Sequence, residues 1–223
     1  MCGRYSLTAK KEKIKAEFDL QDVHLASISP RYNIAPSQAV PALVSESDKR
    51  QIEICQWGLV PSWSKDPKIG HRMINARKET LAEKPSYRGP FKNHRCLVLA
   101  DGFFEWKQAG RTKIPYFIRL KSGAPFGFAG LWAHWAGKDG SEIVSCCIIT
   151  GEPNDLIRSI HNRMPCLIPK DKRDFWLDHS RYEPDKLLAI LEPYPADEME
   201  AYPVSTTVNN PANDRPECIL QAN

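Results

Sequence analysis

Arg95-Cys-Leu-Val-Leu-Ala-Asp-Gly-Phe-Phe-Glu-Trp-Lys107 is the stretch that decides what kind of fold this chain builds. Residues 96–100 are continuously apolar and too few for a stable helix. Asp101-Gly102 is a turn signal, and a second short run follows at 103–107. The stretch therefore reads strand, turn, strand. Downstream, 114–120, 126–132 and 142–150 repeat the pattern. Their connectors, Gln108-Ala-Gly-Arg111, Lys121-Ser-Gly123 and Gly137-Lys-Asp-Gly140, carry turn-forming residues. Alternation along 103–107 puts Phe104 and Trp106 on one side and Phe103, Glu105 and Lys107 on the other. Glu105 either pairs with Lys107 in solvent or lies desolvated among rings, where its pKa would rise towards acid–base use near neutrality.

Upstream the signals are more mixed. Residues 5–8 read as extended, and 10–18 as a helix with Ile14 and Phe18 four apart on one face. Residues 19–29 are irregular. Pro30-Arg-Tyr-Asn-Ile-Ala-Pro36 is bounded by prolines and cannot be a helix interior. Residues 39–45 and 51–57 form a hairpin across a polar turn, and an aromatic loop follows from Trp57 to Trp63. Ile74-Asn-Ala-Arg-Lys-Glu79 is expected to begin a short helix reaching about residue 84. Towards the C-terminus, Asn154 caps a helix through 160. Residues 164–168 form a strand, 170–177 and 184–191 form helices, and 201–204 and 218–220 form closing strands. The class is α+β, a β-rich core with several short helices, in one domain over 1–223.

The 223 residues are 42% hydrophobic and 26% charged, an ordinary globular balance. No apolar run is long enough to span a bilayer, so no membrane association is expected. Lys10, Lys11 and Lys13 arrive too early for a secretory signal, which points to the cytosol, or to the nucleus in a eukaryote. A net charge of +4 permits a polyanionic partner without requiring one. The seven cysteines contain no CxxC pair, which argues against a zinc site and a disulfide framework; no metal or cofactor is expected. Most lie in apolar runs, as small core residues do. Cys2 does not.

Met1-Cys2-Gly3-Arg4 has a chemistry of its own once Met1 is removed. Cys2 would then carry an α-amine and a thiol, with ordinary pKa values of about 8 and 8.5. The thiol can attack a carbonyl with the amine as base. Alternatively the amine condenses with an aldehyde and the thiol closes a thiazolidine. Arg4 sets a permanent cation beside the nucleophile. Three further polar residues stand where packing does not ask for them: Asn75, Glu105 and His161. Arg4, Arg77 and Arg163 stand beside Cys2, Asn75 and His161 respectively, and Trp57, Trp63 and Trp106 add aromatic faces. Cations interleaved with rings suit a single-stranded nucleic-acid groove.

These motifs resemble the SOS-response-associated peptidase (SRAP) family, proteins that process abasic sites and crosslink to single-stranded DNA. The resemblance rests on Cys2-Gly-Arg4, Arg31-Tyr-Asn-Ile-Ala-Pro36, Trp57-Gly58 with Pro61 and Trp63, and Ile74-Asn-Ala-Arg-Lys-Glu79. Asp101-Gly-Phe-Phe-Glu-Trp106, Ile160-His-Asn-Arg163 with Pro165, and Pro203-Val204 complete it. It implies a barrel-like core and a monomer acting on abasic sites in single-stranded DNA. It also implies a role for each candidate. Cys2 forms the thiazolidine with the opened sugar, Asn75 positions the Cys2 amine, and Glu105 shuttles protons. His161 is the acid–base partner near the sugar oxygen. Arg4, Arg77 and Arg163 hold phosphates, while Trp63 and the Pro36 loop wedge the flanking bases apart. A peptidase activity, most simply removal of Met1, belongs to the same picture. Met164 departs from the pattern, standing where a second basic residue can occur.

Two rivals share some of these features. Glutamine amidotransferases and other N-terminal-nucleophile hydrolases also expose a Cys after Met1, but no motif here would hold a glutamine. A non-covalent single-strand-binding module would leave the combination of Cys2, Asn75, Glu105 and His161 unexplained.

Overall fold

The computed structural model describes residues 2–20, 28–46 and 49–222. Twelve strands carry the fold among them. They are β1 (Tyr5–Leu7), β2 (Arg31–Ile34), β3 (Ala39–Glu46), β4 (Lys49–Trp57), β5 (Asn75–Arg77) and β6 (Arg95–Ala100). The others are β7 (Gly102–Ala109), β8 (Thr112–Leu120), β9 (Phe126–Ala136), β10 (Glu142–Gly151), β11 (Met164–Pro165) and β12 (Met199–Pro203). The helices are α1 (Lys11–Phe18), α2 (Pro85–Asn93), α3 (Asp155–Arg158), α4 (Arg173–Leu177) and α5 (Pro184–Ala189).

Strands β4, β3, β6, β9 and β10 close on one another because β10 pairs with both β4 and β9. Closure leaves this five-stranded ring without a free edge, and β5 and β11 attach to the outside of it through β10. A second sheet runs β12-β8-β7-β1-β2. Rings join the two layers: Tyr5 of β1 packs edge-on against Trp57 and Phe128, at 5.2 and 5.7 Å between centroids, and Phe103 of β7 meets Phe128 at 5.9 Å. The class is α+β with a β-rich core, as the run of short strands and helices led us to expect, and the core is barrel-like, as the family resemblance implied.

The one-residue β6–β7 connection shows why Asp101-Gly102 stands where it does. A Cβ on Gly102 would sit 2.1 Å from the Phe117 ring, so no side chain fits. The Asp101 carboxylate accepts from the backbone N–H groups of Thr8 and Ala9 and from the hydroxyls of Ser6 and Thr8. These bonds fasten the exit of β1 to the start of β7. Gly58 and Gly70 make a second close approach, backbone to backbone. A Cβ on Gly58 would lie 2.5 Å from the Gly70 oxygen, and Gly58 also adopts φ +139°. The loop carrying Trp63 is pinched shut there.

Three local expectations fail. Residues 75–77 form a strand rather than a helix, because Asn75, Ala76 and Arg77 pair in parallel with Ile148, Ile149 and Thr150. A buried sheet edge outweighs the helix propensity of Ala-Arg-Lys-Glu. The helix lies further on, over Pro85–Asn93, with Pro85 in its first turn and Tyr87 and Phe91 buried four apart. Residues 218–220 are not a strand: Pro216–Cys218 is a 3-10 turn, and only an isolated bridge joins Val204 to Gln221. The strand expected over 164–168 shortens to Met164–Pro165. The irregularity expected over 19–29 falls mostly on residues outside those described. All seven cysteines are free and buried, Cys2 included.

Candidate active site

Tyr5 and Ser6 of β1 pair with Phe103 and Gly102 of β7. The antiparallel ladder continues past the strand end, since the Phe104 N–H donates to the Arg4 oxygen at 3.0 Å. Running the register back one step more brings the Cys2-Gly3 segment alongside Glu105. On its other side, Asn75 Nδ2 donates to the Cys2 carbonyl at 2.8 Å. The Asn75 backbone is held in turn, its carbonyl accepting from the Tyr87 hydroxyl of α2 at 3.2 Å. The strand expected to be a helix is therefore what delivers Asn75 to the chain terminus. Its Oδ1 is buried and has no hydrogen-bond partner among the described residues.

Glu105 is 2% exposed on the inward face of β7. Burial among rings raises its carboxyl to a pKa of about 7. Of the two readings open at the sequence level, solvated pair or desolvated acid, the structure selects the second. His161 follows α3, and its Nε2 lies 3.9 Å from Glu105 Oε2, within charge reach but too long for a hydrogen bond. The Arg163 N–H donates to His161 Nδ1 at 3.0 Å. The same Nδ1 lies 3.1 Å from the Arg163 oxygen, so the Arg163 backbone holds the ring from both its N–H and its carbonyl. Burial lowers the His161 pKa, favouring the neutral ring. Burial pushes the Cys2 thiol well above its ordinary range, and the neighbouring Glu105 carboxylate adds to this. The Cys2 Sγ lies 3.6 Å from the Arg4 oxygen. Cys2, Asn75, Glu105 and His161 thus come together from four separate segments of chain.

The arginines divide. Arg77 follows Asn75 by two residues, shares its face of β5, and is exposed. Arg4 is turned inward, its Nη1 donating to Asn33 Oδ1 at 2.9 Å and to the Val208 oxygen at 2.6 Å, and its Nη2 to the Asn209 oxygen at 3.1 Å. Arg163 forks onto Glu79 at 2.6 and 3.0 Å and reaches the Thr150 oxygen at 2.5 Å. The motif around Asn33 is a latch for the C-terminal segment: its Nδ2 donates to the oxygens of Val208, Asn210 and Asn213. Asp214 accepts in return from the N–H groups of Tyr32 and Asn33 and from Arg31. Trp63 is 59% exposed on the pinched loop. Pro36 precedes Ser37, which adopts φ +69° and whose hydroxyl meets His71 Nδ1 at 2.9 Å.

Glu105 and His161 open into a cavity of about 510 Å³ that is also lined by Trp106, Lys113 and Asn209. Sequence reasoning passed over Lys113 and Asn209. A lysine near a hairpin end and an asparagine in a turn-rich tail carry no local signal. Only the ladder between β7 and β8, and the Arg4 bonds to 208–209, bring them to the cavity.

A family profile described as SOS response associated peptidase (SRAP) matches residues 1–211. The chain is 44% identical over 221 residues to the abasic site processing protein YoqW of Bacillus subtilis, covering 98% of this chain and 99% of that one. It is 34% identical over 223 residues to the abasic site processing protein HMCES of Gallus gallus, covering 86% of this chain and 66% of that one. A crystal structure of a Bacteroides thetaiotaomicron protein superposes with a TM-score of 0.88 at 30% identity, covering 99% of this chain and all of that one. With this profile and these relatives spanning the segments that build the site, the chain belongs to the SRAP family.

Proposed function

We propose that this protein processes abasic sites in single-stranded DNA by forming a covalent link through Cys2 after Met1 is removed. The observation that carries the reading is the convergence on Cys2, with Asn75 bonded to its carbonyl and the buried Glu105 beside it, backed by His161. An abasic sugar in its open form presents an aldehyde. The freed Cys2 amine attacks that carbon, and the carbinolamine loses water to give an imine. The Cys2 sulfur then adds to the imine carbon while its proton passes to the nitrogen, closing the thiazolidine. With a pKa near 7, Glu105 is present in both protonation states near neutrality and can accept and return the protons of ring opening and dehydration. His161 serves as the second acid–base group at the sugar oxygen, and Asn75 positions the amine and the opened sugar.

The condition of the thiol supports this order. Burial keeps the Cys2 sulfur protonated at neutral pH, so it is poorly suited to lead an attack as a thiolate but suited to close onto an imine. Thiol-first acyl transfer, the amidotransferase-like route, lacks that activation. In the proposal Arg77 takes a phosphate beside the lesion, and Arg4 and Arg163 add the donors that their internal partners leave. Trp63 and the Pro36 loop hold the flanking bases apart. Removal of Met1 is the peptidase event the family name suggests, here acting on the chain itself.

Mixing the protein with an abasic single-stranded oligonucleotide and resolving it on a denaturing gel tests the reading. The parent gives a heat-stable band and no glutaminase activity. Cys2→Ala and Cys2→Ser both keep the α-amine but lack the sulfur, so each gives no heat-stable band and a band only after borohydride reduction of the imine. A heat-stable adduct from Cys2→Ala would overturn the assignment of Cys2.

A further inference from the structure

The cavity in front of Glu105 and His161 has a wall that the crosslinking chemistry does not use. Lys113 lies on β8 opposite Gln108 in the β7–β8 ladder and is exposed. Among the described residues it has no ion-pair partner. Across the cavity, the orientation of the Asn209 side chain is settled by its neighbour. The Trp106 Nε1–H, which can only donate, reaches Asn209 Oδ1 at 2.8 Å. The Asn209 amide nitrogen therefore points away from Trp106, and among the described residues it has no acceptor. The Asn209 backbone is fixed as well, its oxygen taking the Arg4 Nη2 at 3.1 Å. A lysine side chain and one oriented neutral donor thus line the cavity in front of Glu105 and His161. That arrangement attracts an oxyanion, and the oxyanions beside an abasic sugar are the phosphodiesters of the strand itself.

We propose that Lys113 and Asn209 form an oxyanion subsite that holds the phosphodiester next to the lesion on the His161 side. Resting on the reading of this chain as an abasic-site protein, the proposal adds a phosphate contact on a wall separate from β5, which carries Arg77. A strand held on both walls presents the sugar between them, over Glu105.

The test is the salt dependence of equilibrium binding to a single-stranded oligonucleotide, measured for the full chain with and without one abasic site. Each phosphate contact contributes about −0.7 to the logarithmic slope on single strands. Lys113→Gln should flatten the slope by about that amount and Lys113→Arg should restore it. Asn209→Asp keeps an acceptor for Trp106 but replaces the donor with a negative charge, so it should weaken binding without lowering the melting temperature. An unchanged slope in Lys113→Gln, or unchanged binding in Asn209→Asp, overturns the subsite. The covalent band of the parent is scored separately: its absence would overturn the proposed function, while the slopes would still report whether Lys113 meets a phosphate.

Discussion

Replacing Glu105 with Gln should make the protein more stable at pH 8 while slowing its chemistry. An ordinary glutamate carboxyl titrates at 4.5, and burial raises this one to about 7. Below pH 4.5 both the folded and unfolded chains hold the proton, and the burial of Glu105 exacts no ionisation cost. Between 4.5 and 7 the unfolded chain releases the proton and the native chain keeps it, so stability falls as pH rises. Above 7 the loss is complete. At about 1.36 kcal/mol per pH unit, the interval amounts to roughly 3 kcal/mol. The Gln variant keeps the shape and never ionises, so it escapes this term. Urea unfolding of parent and variant between pH 4.5 and 8.5 measures it. The expected gain at pH 8 is about 2–3 kcal/mol, with a melting temperature raised by roughly 2–4 °C per kcal/mol, and it should vanish towards pH 4.5. Single-turnover crosslinking by the same variant should fall by a factor of about 10²–10⁴. No gain at pH 8, or an equal gain at pH 4.5, would show that desolvation of this carboxyl is not what sets its pKa.

Two further expectations concern the frame around the site. Gly102→Ala places a methyl 2.1 Å from the Phe117 ring with Asp101 fixed on one side, so it should abolish soluble expression or the cooperative thermal transition. A normally melting Gly102→Ala protein would mean that Phe117 yields easily. Arg4→Ala removes donors to Asn33, Val208 and Asn209 and should cost about 1–3 kcal/mol in urea unfolding. It should also change the salt slope of DNA binding less than Arg77→Ala does; the reverse ranking would make Arg4 chiefly a phosphate contact.

The strands from Arg95 to Gly151 were legible because each is short, apolar or alternating, and bounded by turn residues. Gly110, Gly123 and Gly140 do adopt positive φ in the three connectors. Residues 75–77 were not legible, because their strand is formed by a partner 73 positions away in sequence and local propensity favours a helix. The α2 helix was obscured by Gly89 and Pro90, residues that usually break helices, and is held by the burial of Tyr87 and Phe91. At the site, Cys2, Asn75, Glu105 and His161 could be named because each interrupts an otherwise ordinary motif. The arginines show the limit of such reading. Arg4, Arg77 and Arg163 look equivalent in sequence, yet Arg77 is exposed, whereas Glu79 forks onto Arg163 and Arg4 turns inward onto Asn33, Val208 and Asn209. Which donors are already occupied depends on carbonyls contributed from up to 205 positions away.

The latch between the two ends of the chain has a consequence for the order in which the protein is made. Arg4 is bonded to the oxygens of Val208 and Asn209, and Asn33 to those of Val208, Asn210 and Asn213. A ribosome releases the first residues long before the last, so none of these bonds can form until synthesis is nearly finished. Trp106 likewise waits for Asn209. The amino terminus therefore spends the whole of translation outside its finished setting, with the Glu105 cavity open on one side. Assembly of the reactive end is timed by the emergence of residues 206–214. A chain truncated before them would carry every residue of the Cys2, Asn75, Glu105 and His161 constellation and still lack the wall that closes it.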